Sequence, residues 1–309
     1  MKRIVLAAVV SIALAMVVRP VVSGQQRGRG GRGDGPPPTA QQSAPIDLTG
    51  YWVSVVTEDW RWRMATPPKK DYQSLPLNQA ARAIADAWDL DKDNAAGLQC
   101  KPYGAGNIMR QPGRLHITWQ DENTLKVEID AGSQTRLFYF GPPPAAAGSP
   151  GTKTWQGIST ASWERPGRNA VADARVSEAR DASLPPGGGG AGLRGAPPRS
   201  AAMFEGGSLS VRTTNFRDGY LRSNGVPYSE NATLNEHFDR LPAHPNGDVW
   251  LVVSSVLEDP TYLNGPLYLS SQFKKEPSGA KWNPTPCRTD PPAQPRNKID
   301  RSQGGVNRQ

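Results

Sequence analysis

Cysteine and histidine are scarce in this sequence: its 309 residues include two cysteines and three histidines, widely separated along the chain. Zinc fingers and Cys-x-x-Cys redox centres need several such ligands at close and regular spacing, so the sequence excludes both. It also lacks the Gly-x-Ser-x-Gly nucleophile elbow, the phosphate-binding loop and the dinucleotide-binding fingerprint. We therefore predict no metal and no cofactor, and no motif identifies a catalytic residue.

Long hydrophobic runs are absent after residue 24, so we predict no transmembrane span in the mature chain. Before that point, Lys2 and Arg3 precede an uncharged apolar run over residues 4–18, and small residues follow at 22–24. This layout is typical of a secretory signal peptide over residues 1–24, and it predicts a periplasmic or secreted protein. The run of about 15 residues is short for a membrane helix, and an uncleaved anchor is the alternative.

Excess charge is absent from the central part of the chain, although the formal net charge is +8. Residues 1–24 carry +3, residues 25–45 carry +2 and residues 288–309 carry +3, so residues 46–287 balance to zero. Nucleic-acid-binding domains concentrate basic charge on their folded surface, so we predict no nucleic-acid partner. The Arg-Gly run at 27–33 is interpreted as a solvated linker, with contact to RNA or anionic lipid as the alternative.

Cys100 and Cys287 form an even pair, and exported proteins fold in an oxidising compartment. We therefore predict a disulfide bond between them, with two free thiols as the alternative. Such a bond would enclose nearly the whole folded region, and by loop-closure entropy it would contribute on the order of 5 kcal/mol.

Alternation of apolar and polar residues predicts a chain built mainly of short strands. The clearest region is 113–140, where three alternating segments separated by turns predict an antiparallel meander. Residues 78–88 predict one helix with Asn78 as its N-cap, and the acidic residues at 89–93 are interpreted as its solvated end. Further strands are predicted at 48–57, through Trp60, Trp62 and Met64, and at 155–164, 208–215, 233–240, 248–257 and 267–274.

These elements predict a mainly β fold with one short helix, either a single antiparallel β-barrel or a strongly bent sheet. The predicted organisation is a signal peptide at 1–24, a disordered Gly/Arg/Pro linker at 25–45, a β domain at 46–287 and a disordered tail at 288–309. Within the β domain, polar and low-complexity residues 165–205 predict a disordered insertion between two strands that would otherwise meet at a tight turn.

Seven short motifs follow one another along this domain. They are Gly50-x-Trp52, Trp155-x-Gly157-x-Ser159, Trp163-Glu164, Leu209-x-Val211-x-Thr213, Gly225-x-Pro227-x-Ser229, Glu236-x-Phe238-x-Arg240 and Glu258-Asp259-Pro260-x-Tyr262. The motifs from Trp155 onwards together resemble a family of secreted acidobacterial and proteobacterial proteins without an assigned activity. The first motif is similar to the opening of lipocalin barrels, so the resemblance implies an exported lipocalin-like fold.

The chain departs from that family at two points. The family runs from Trp-Glu directly into Gly-Asp-x-Leu-Val-Val, whereas here the insertion separates Glu164 from Gly206. The family also has a basic second residue in its Glu-x-Phe-x-Arg motif, where this chain has His237.

The candidate site residues are aromatic and ionisable side chains of the predicted strands and their ends: Trp155, Trp163, Tyr262, His237 and Asp239. Strand alternation puts His237 and Asp239 on one face and Glu236, Phe238 and Arg240 on the other, which favours a structural pair between Glu236 and Arg240. His116 is expected on a polar strand face, and a metal site shared by His116, His237 and Asp239 is the unfavoured alternative.

Three functions follow as hypotheses. The first is an exported envelope protein that binds a small apolar or aromatic ligand in its barrel, with the tryptophans lining the site. The second is an envelope scaffold that binds a protein partner through its arms and insertion. The third is a hydrolase-like or isomerase-like enzyme that uses His237 and Asp239.

Overall fold

The computed structural model describes residues 36–145, 153–165 and 206–292. The predicted signal peptide, most of the predicted linker, nearly all of the insertion and most of the tail lie outside these ranges. The chain divides after Pro37, and everything described below belongs to the unit that begins at Pro38.

The described residues form eleven strands, nine of which close into a barrel. The barrel order is β1-β11-β10-β9-β6-β5-β4-β3-β2, and β7 and β8 form a separate hairpin. The prediction of a mainly β fold is confirmed, with the barrel rather than the open sheet. The strands are β1 (Gly50–Val55), β2 (Arg114–Asp121), β3 (Thr124–Ile129), β4 (Gln134–Tyr139), β5 (Ile158–Glu164), β6 (Ser208–Thr214), β7 (Gly219–Arg222), β8 (Val226–Tyr228), β9 (Thr233–Arg240), β10 (Trp250–Glu258) and β11 (Leu267–Glu276).

One pair of barrel strands is parallel, which the sequence analysis did not anticipate. Strands β4 and β5 meet in register only at Phe138↔Ser159 and Tyr139↔Thr160, whereas every other neighbouring pair is antiparallel. The segment between β4 and β5 carries the chain from one end of the barrel back to the other, so β5 runs in the same direction as β4.

The predicted meander is confirmed as β2, β3 and β4, which pair antiparallel in sequence order. The strands that flank the insertion also pair as predicted, with Glu164 opposite Ser208 at the end of the β5–β6 ladder. The two strand ends next to the insertion therefore lie side by side on the rim of the barrel.

Four short helices occur in the described residues, where the sequence predicted one: α1 (Trp60–Arg63), α2 (Gln79–Ala87), α3 (Leu90–Ala95) and α4 (Ala105–Ile108). Helix α2 is the predicted helix, and the Asn78 side chain caps it by accepting a hydrogen bond from the amide of Ala81 at 3.0 Å. Asp89 caps α3 by accepting from the amides of Asp91 and Lys92, so a second helix begins where a solvated helix end was expected.

The strand predicted through Trp60, Trp62 and Met64 is wrong, because these residues belong to α1 and its C-terminus. Asp59 adopts φ 53°, which turns the chain, and the amides of Trp62 and Arg63 then bond to its carbonyl at 2.9 and 3.1 Å. A period of two over five residues is too short to exclude a helical turn.

The barrel has two different ends. At one end of the barrel, β9 and β11 begin and β10 ends. Helix α2 and the β7–β8 hairpin build a second apolar core against these strand ends, and we call this the plugged end. This second core contains Tyr72, Leu75, Leu77, Ala81, Ala85, Ala105, Phe216, Leu221, Val226, Tyr228, Ala232, Leu234, Leu257, Leu263 and Leu267. Gly225, at φ 78°, lies so close to Trp88 that a Cβ atom would stand 2.1 Å from its ring.

We call the opposite end the mouth. It is the rim formed by the last inward-facing residues of β2 and β5, Trp119 and Trp163, together with Phe140 just after β4. Residues 38–49 cross this rim, and we refer to them as the strap. The strap is ordered before Ile46, where the predicted domain begins, because Ala40 is buried and the amide of Gln41 donates to Glu122 O at 3.0 Å.

The predicted disulfide bond between Cys100 and Cys287 is confirmed. It ties the segment after β11 to the short 3-10 helix Lys101–Tyr103 at the plugged end. The Tyr103 hydroxyl donates to Arg288 O at 2.6 Å, so ordered chain continues just beyond the bridge. Among the described residues, no helix has the length and apolarity that a membrane crossing requires.

Candidate ligand site at the barrel mouth

The interior of the barrel is filled by its own side chains. Trp52, Phe138, Phe238 and Phe273 are among the largest fully buried residues, and the Phe138 and Phe238 rings meet edge to face at 5.4 Å. A barrel of about eight strands is just wide enough either to be filled by side chains or to hold one small ligand. The described interior is filled by side chains, so we looked for a ligand site at the rim.

A buried ion pair crosses the filled interior. Both terminal nitrogens of Arg136 donate to the carboxylate of Glu236, at 3.0 and 2.5 Å, and one also donates to the Thr213 hydroxyl at 3.0 Å. The predicted pairing of Glu236 with Arg240 is therefore wrong. Residues four apart on a strand are too distant to pair as they do on a helix, whereas β4 and β9 face each other across the lumen.

Three aromatic rings gather at the mouth. The Phe140 ring lies 5.7 Å from Trp119 and 5.1 Å from Trp163, and the two indoles are 6.4 Å apart. These separations lie within the range in which aromatic rings attract one another beyond simple burial. All three rings are only partly buried against the barrel core, and Trp119 and Trp163 line a cleft that opens to solvent.

The strap is fastened across this aromatic cluster by hydrogen bonds at both of its ends. The Trp163 indole donates to Ala40 O at 2.8 Å, and the amide of Ala40 donates to the Asn123 side chain at 2.9 Å. At the other end, the indole of Trp52 donates to Leu48 O at 2.9 Å, and the Leu48 side chain is buried.

A cleft of about 360 Å³ lies between the strap and the aromatic cluster. Its volume falls within the ~300–1,000 Å³ that small-molecule sites occupy. Apolar and aromatic side chains form its floor, and polar groups of the strap form its edge. The lining residues are Gln41, Ala44, Pro45, Ile46, Asp47, Leu48, Thr49, Trp119, Leu125 and Trp163.

Asp47 is the acidic group of this cleft. Partial burial acts to raise the pKa of its carboxyl, but hydrogen bonds from the Thr49 hydroxyl and amide, at 2.7 and 2.9 Å, outweigh burial. Lys275 and Arg240 add attraction, so the pKa of Asp47 lies below its ordinary value. The Lys275 ammonium also sits 5.3 Å from the centre of the Trp52 ring. The mouth therefore combines aromatic surface with one anionic and two cationic groups.

A second cleft, of about 310 Å³, opens in the barrel wall beside the parallel β4–β5 junction. Its lining includes Arg136, Tyr139, Gln156 and Ser159, and strand backbone forms much of the rest. The charge of Arg136 is already neutralised by Glu236, and only one aromatic ring borders the cleft. The mouth has two indole rings where this cleft has one phenol ring, so the mouth is the better site for an aromatic ligand.

The five sequence-predicted site residues do not converge. Trp163 lies in the mouth. Trp155 lies near the plugged end, where its indole donates to Asp218 O at 2.9 Å and its ring faces Arg217. Tyr262 also lies there, packed against the second core, and its carbonyl accepts from the amide of Asn78 at 3.0 Å.

His237 and Asp239 share the outer face of β9, as strand alternation predicted, and do not enter the lumen. His237 Nδ1 lies 3.3 Å from Glu164 Oε2, with side chains 42% and 52% exposed. Partial burial, followed by the nearby Glu164 charge, raises the pKa of Asp239, while His237 acts in the opposite direction. The group stands on an open wall beside the point where the insertion leaves the barrel.

His116 also lies on the outer wall, where it stacks on Tyr51 with ring centres 4.1 Å apart and meets the edge of Trp282. Its Nδ1 lies 3.2 Å from Glu128 Oε2. The ring contacts of Trp282 with His116 and Tyr51 hold the segment after β11 against the wall. Among the described residues, no group of three or more His, Cys, Asp or Glu side chains could hold a metal ion, so His116, His237 and Asp239 form no metal site.

Sequence analysis missed Trp119, Phe140 and Leu48 as residues of the mouth. Their pattern held a usable signal, because Trp119 is the last inward-facing residue of β2 and Trp163 that of β5. Two large aromatics at the same end of two inward-facing rows indicate an aromatic rim, provided that the strand order is known. The strand order itself was not readable from the sequence.

Comparison of the chain with protein-family models, with curated proteins and with solved structures returned no match. The argument for a function therefore rests on the geometry of the mouth.

Proposed function

We propose that this chain is an exported barrel protein that binds a small molecule with an aromatic or apolar ring at its mouth. The observation that supports the proposal most directly is the cleft of about 360 Å³ between the strap and the exposed faces of Trp119 and Trp163. The export half rests on the signal-peptide layout of residues 1–24, and the disulfide bond is consistent with it.

The chemistry of the cleft defines the ligand class. Indole faces and the Leu48 and Leu125 side chains favour a flat or apolar body. Gln41, Asp47 and Thr49 at the edge supply donors and acceptors that would orient one polar substituent. Asp47 is the charged group lining the cleft, and Lys275 and Arg240 lie near enough to offset its charge, so a neutral ligand fits best.

The experiment is a fluorescence titration of the purified protein with N-phenyl-1-naphthylamine, a neutral aromatic probe that brightens on entering an apolar site. We expect saturable binding. Trp163→Leu should weaken it roughly five-fold, because a stacked indole face contributes about 1 kcal/mol beyond its buried area. Ala44→Trp should also weaken binding, because the added indole would occupy the cleft.

The matched control is Trp155→Leu. Trp155 is likewise partly buried in the described structure and donates its indole N–H to a backbone carbonyl, but it lies at the opposite end of the barrel. This variant should bind the probe with wild-type affinity. Wild-type affinity in both Trp163→Leu and Ala44→Trp would refute the mouth as the site.

The enzyme hypothesis has less support. His237 contacts Glu164, but both side chains are about half exposed on an open wall, where water would screen any acid or base. The scaffold hypothesis depends on the insertion, which lies outside the described residues.

A further inference from the structure

A second candidate site lies at the plugged end, around Arg63. Helix α1 turns this side chain inward, so that only 8% of the residue is exposed. Its Nε donates to Arg110 O at 2.8 Å. Both of its terminal nitrogens, Nη1 and Nη2, are buried and lack a hydrogen-bond partner among the described residues.

Two further arginines, Arg110 and Arg222, line the same small cavity as Arg63. Arg110 is also nearly buried, and it forms ion pairs with Glu58 and Asp59. Arg222 is buried as well, but its guanidinium donates only to backbone, to Asp71 O at 3.3 Å and to Gln73 O at 2.8 Å. Within the described part of the chain, Arg63 and Arg222 thus have no carboxylate within ion-pair distance.

Burial is the main reason that the pKa of both guanidinium groups falls to about 10. For Arg63 the charge of Arg110 lowers the pKa further, and Glu58 and Asp59 act in the opposite direction. A buried cation with two unused donors is costly unless an acceptor, and preferably a negative charge, is supplied.

A small cavity lies where that acceptor would sit. It has a volume of about 20 Å³ and is lined by Asp59, Trp62, Arg63, Leu75, Asn107, Arg110, Leu221, Arg222, Leu267 and Leu269. A cavity needs roughly 10–15 Å³ to hold one water-sized species, so this one accommodates a single small ion but not a tetrahedral oxyanion. The Asp59 carboxylate would moreover oppose a doubly charged guest.

We propose that this cavity binds one monovalent halide ion, chloride under physiological conditions, held by the terminal nitrogens of Arg63. The ion would accept one hydrogen bond from each terminal nitrogen of Arg63 and pair with the positive charge of that guanidinium. It would join α1 to α4 and β7 and thereby stabilise the plugged end.

The test is thermal unfolding of the purified protein at constant ionic strength, with sodium gluconate replaced stepwise by sodium chloride or bromide. An ion that binds only the folded state should raise Tm saturably, by on the order of 3 °C at ten times its dissociation constant. Arg63→Met should abolish the halide dependence. Arg61→Met, which alters an exposed arginine of the same helix, should retain it.

A Tm that is equal in gluconate and in halide would overturn the proposal and leave water as the occupant. Because Arg63→Met can fail to fold, bromide-soaked crystals of the unaltered protein provide a second measurement. An anomalous peak within hydrogen-bonding distance of Arg63 Nη1 and Nη2 supports the proposal, and an ordered water with no anomalous signal at that position refutes it.

Discussion

The two ends of the barrel bury their side chains by different means. The plugged end has an apolar core of its own, built from α2, the β7–β8 hairpin and the strand ends, and the disulfide bond lies beside it. In the part of the chain that the structure describes, the strap alone covers the mouth, and the aromatic rings beneath the strap are partly exposed. The plugged end is covered by a second buried core, whereas the mouth is less enclosed, and the candidate ligand cleft lies at the mouth.

The largest expected effect comes from removing the disulfide bond at the plugged end. Because the cysteines are 187 positions apart in the sequence, the double variant Cys100→Ser/Cys287→Ser should lose up to about 5 kcal/mol of unfolding free energy, since the unfolded chain regains its loop entropy. Urea unfolding followed by tryptophan fluorescence measures the loss. Probe affinity at the mouth should persist under native conditions; its loss in the still-folded variant would show that the two ends are coupled.

The next effect concerns the ion pair between the two ends. Arg136→Met should destabilise the protein by about 3–5 kcal/mol, since it leaves the Glu236 carboxylate buried without a partner. Chemical denaturation gives the value. Arg136→Met/Glu236→Leu should recover most of the loss, because apolar replacement removes both charges. A double variant as unstable as the single one would assign the defect to packing instead.

The smallest effect concerns the strap and its pH dependence. The pKa of Asp47 is below its ordinary value of 3.8 in the folded protein, so its stabilising contribution is complete above 3.8 and is lost as the pH falls through the lowered pKa. Amide hydrogen exchange at residues 47–49, corrected for its intrinsic pH dependence, should lose protection in that acidic window. Asp47→Asn should flatten this pH dependence, and an unchanged profile would show that Asp47 does not hold the strap.

Local sequence patterns predicted much of the fold. Strand β9 runs over the residues that its alternation predicted, and the inward row Leu234, Glu236 and Phe238 is separated from His237 as expected. The α2 cap at Asn78 was readable because an N-cap involves only neighbours in sequence. The errors arose where the deciding partner is distant: the partner of Glu236 lies 100 residues away, on β4.

The candidate site was harder to predict than the fold. Of the five residues proposed from the sequence, only Trp163 lies in the cleft, because residue type indicates suitability for a ligand but not position around a barrel. Trp155 and Trp163 occupy the same strand region of the sequence, yet they lie towards opposite ends of the structure.

The sequence by itself determined the nine barrel strands, the helix cap and the pairing of its two cysteines, because these depend on local alternation, on neighbouring residues or on having no other partner. Tertiary structure alone decided that β4 and β5 run parallel, that Arg136 pairs with Glu236, that the strap covers Trp119 and Trp163, and that Arg63 is buried without an acceptor. Each of these depends on closing the barrel, which brings together residues whose separation along the chain carries no information about their distance in space.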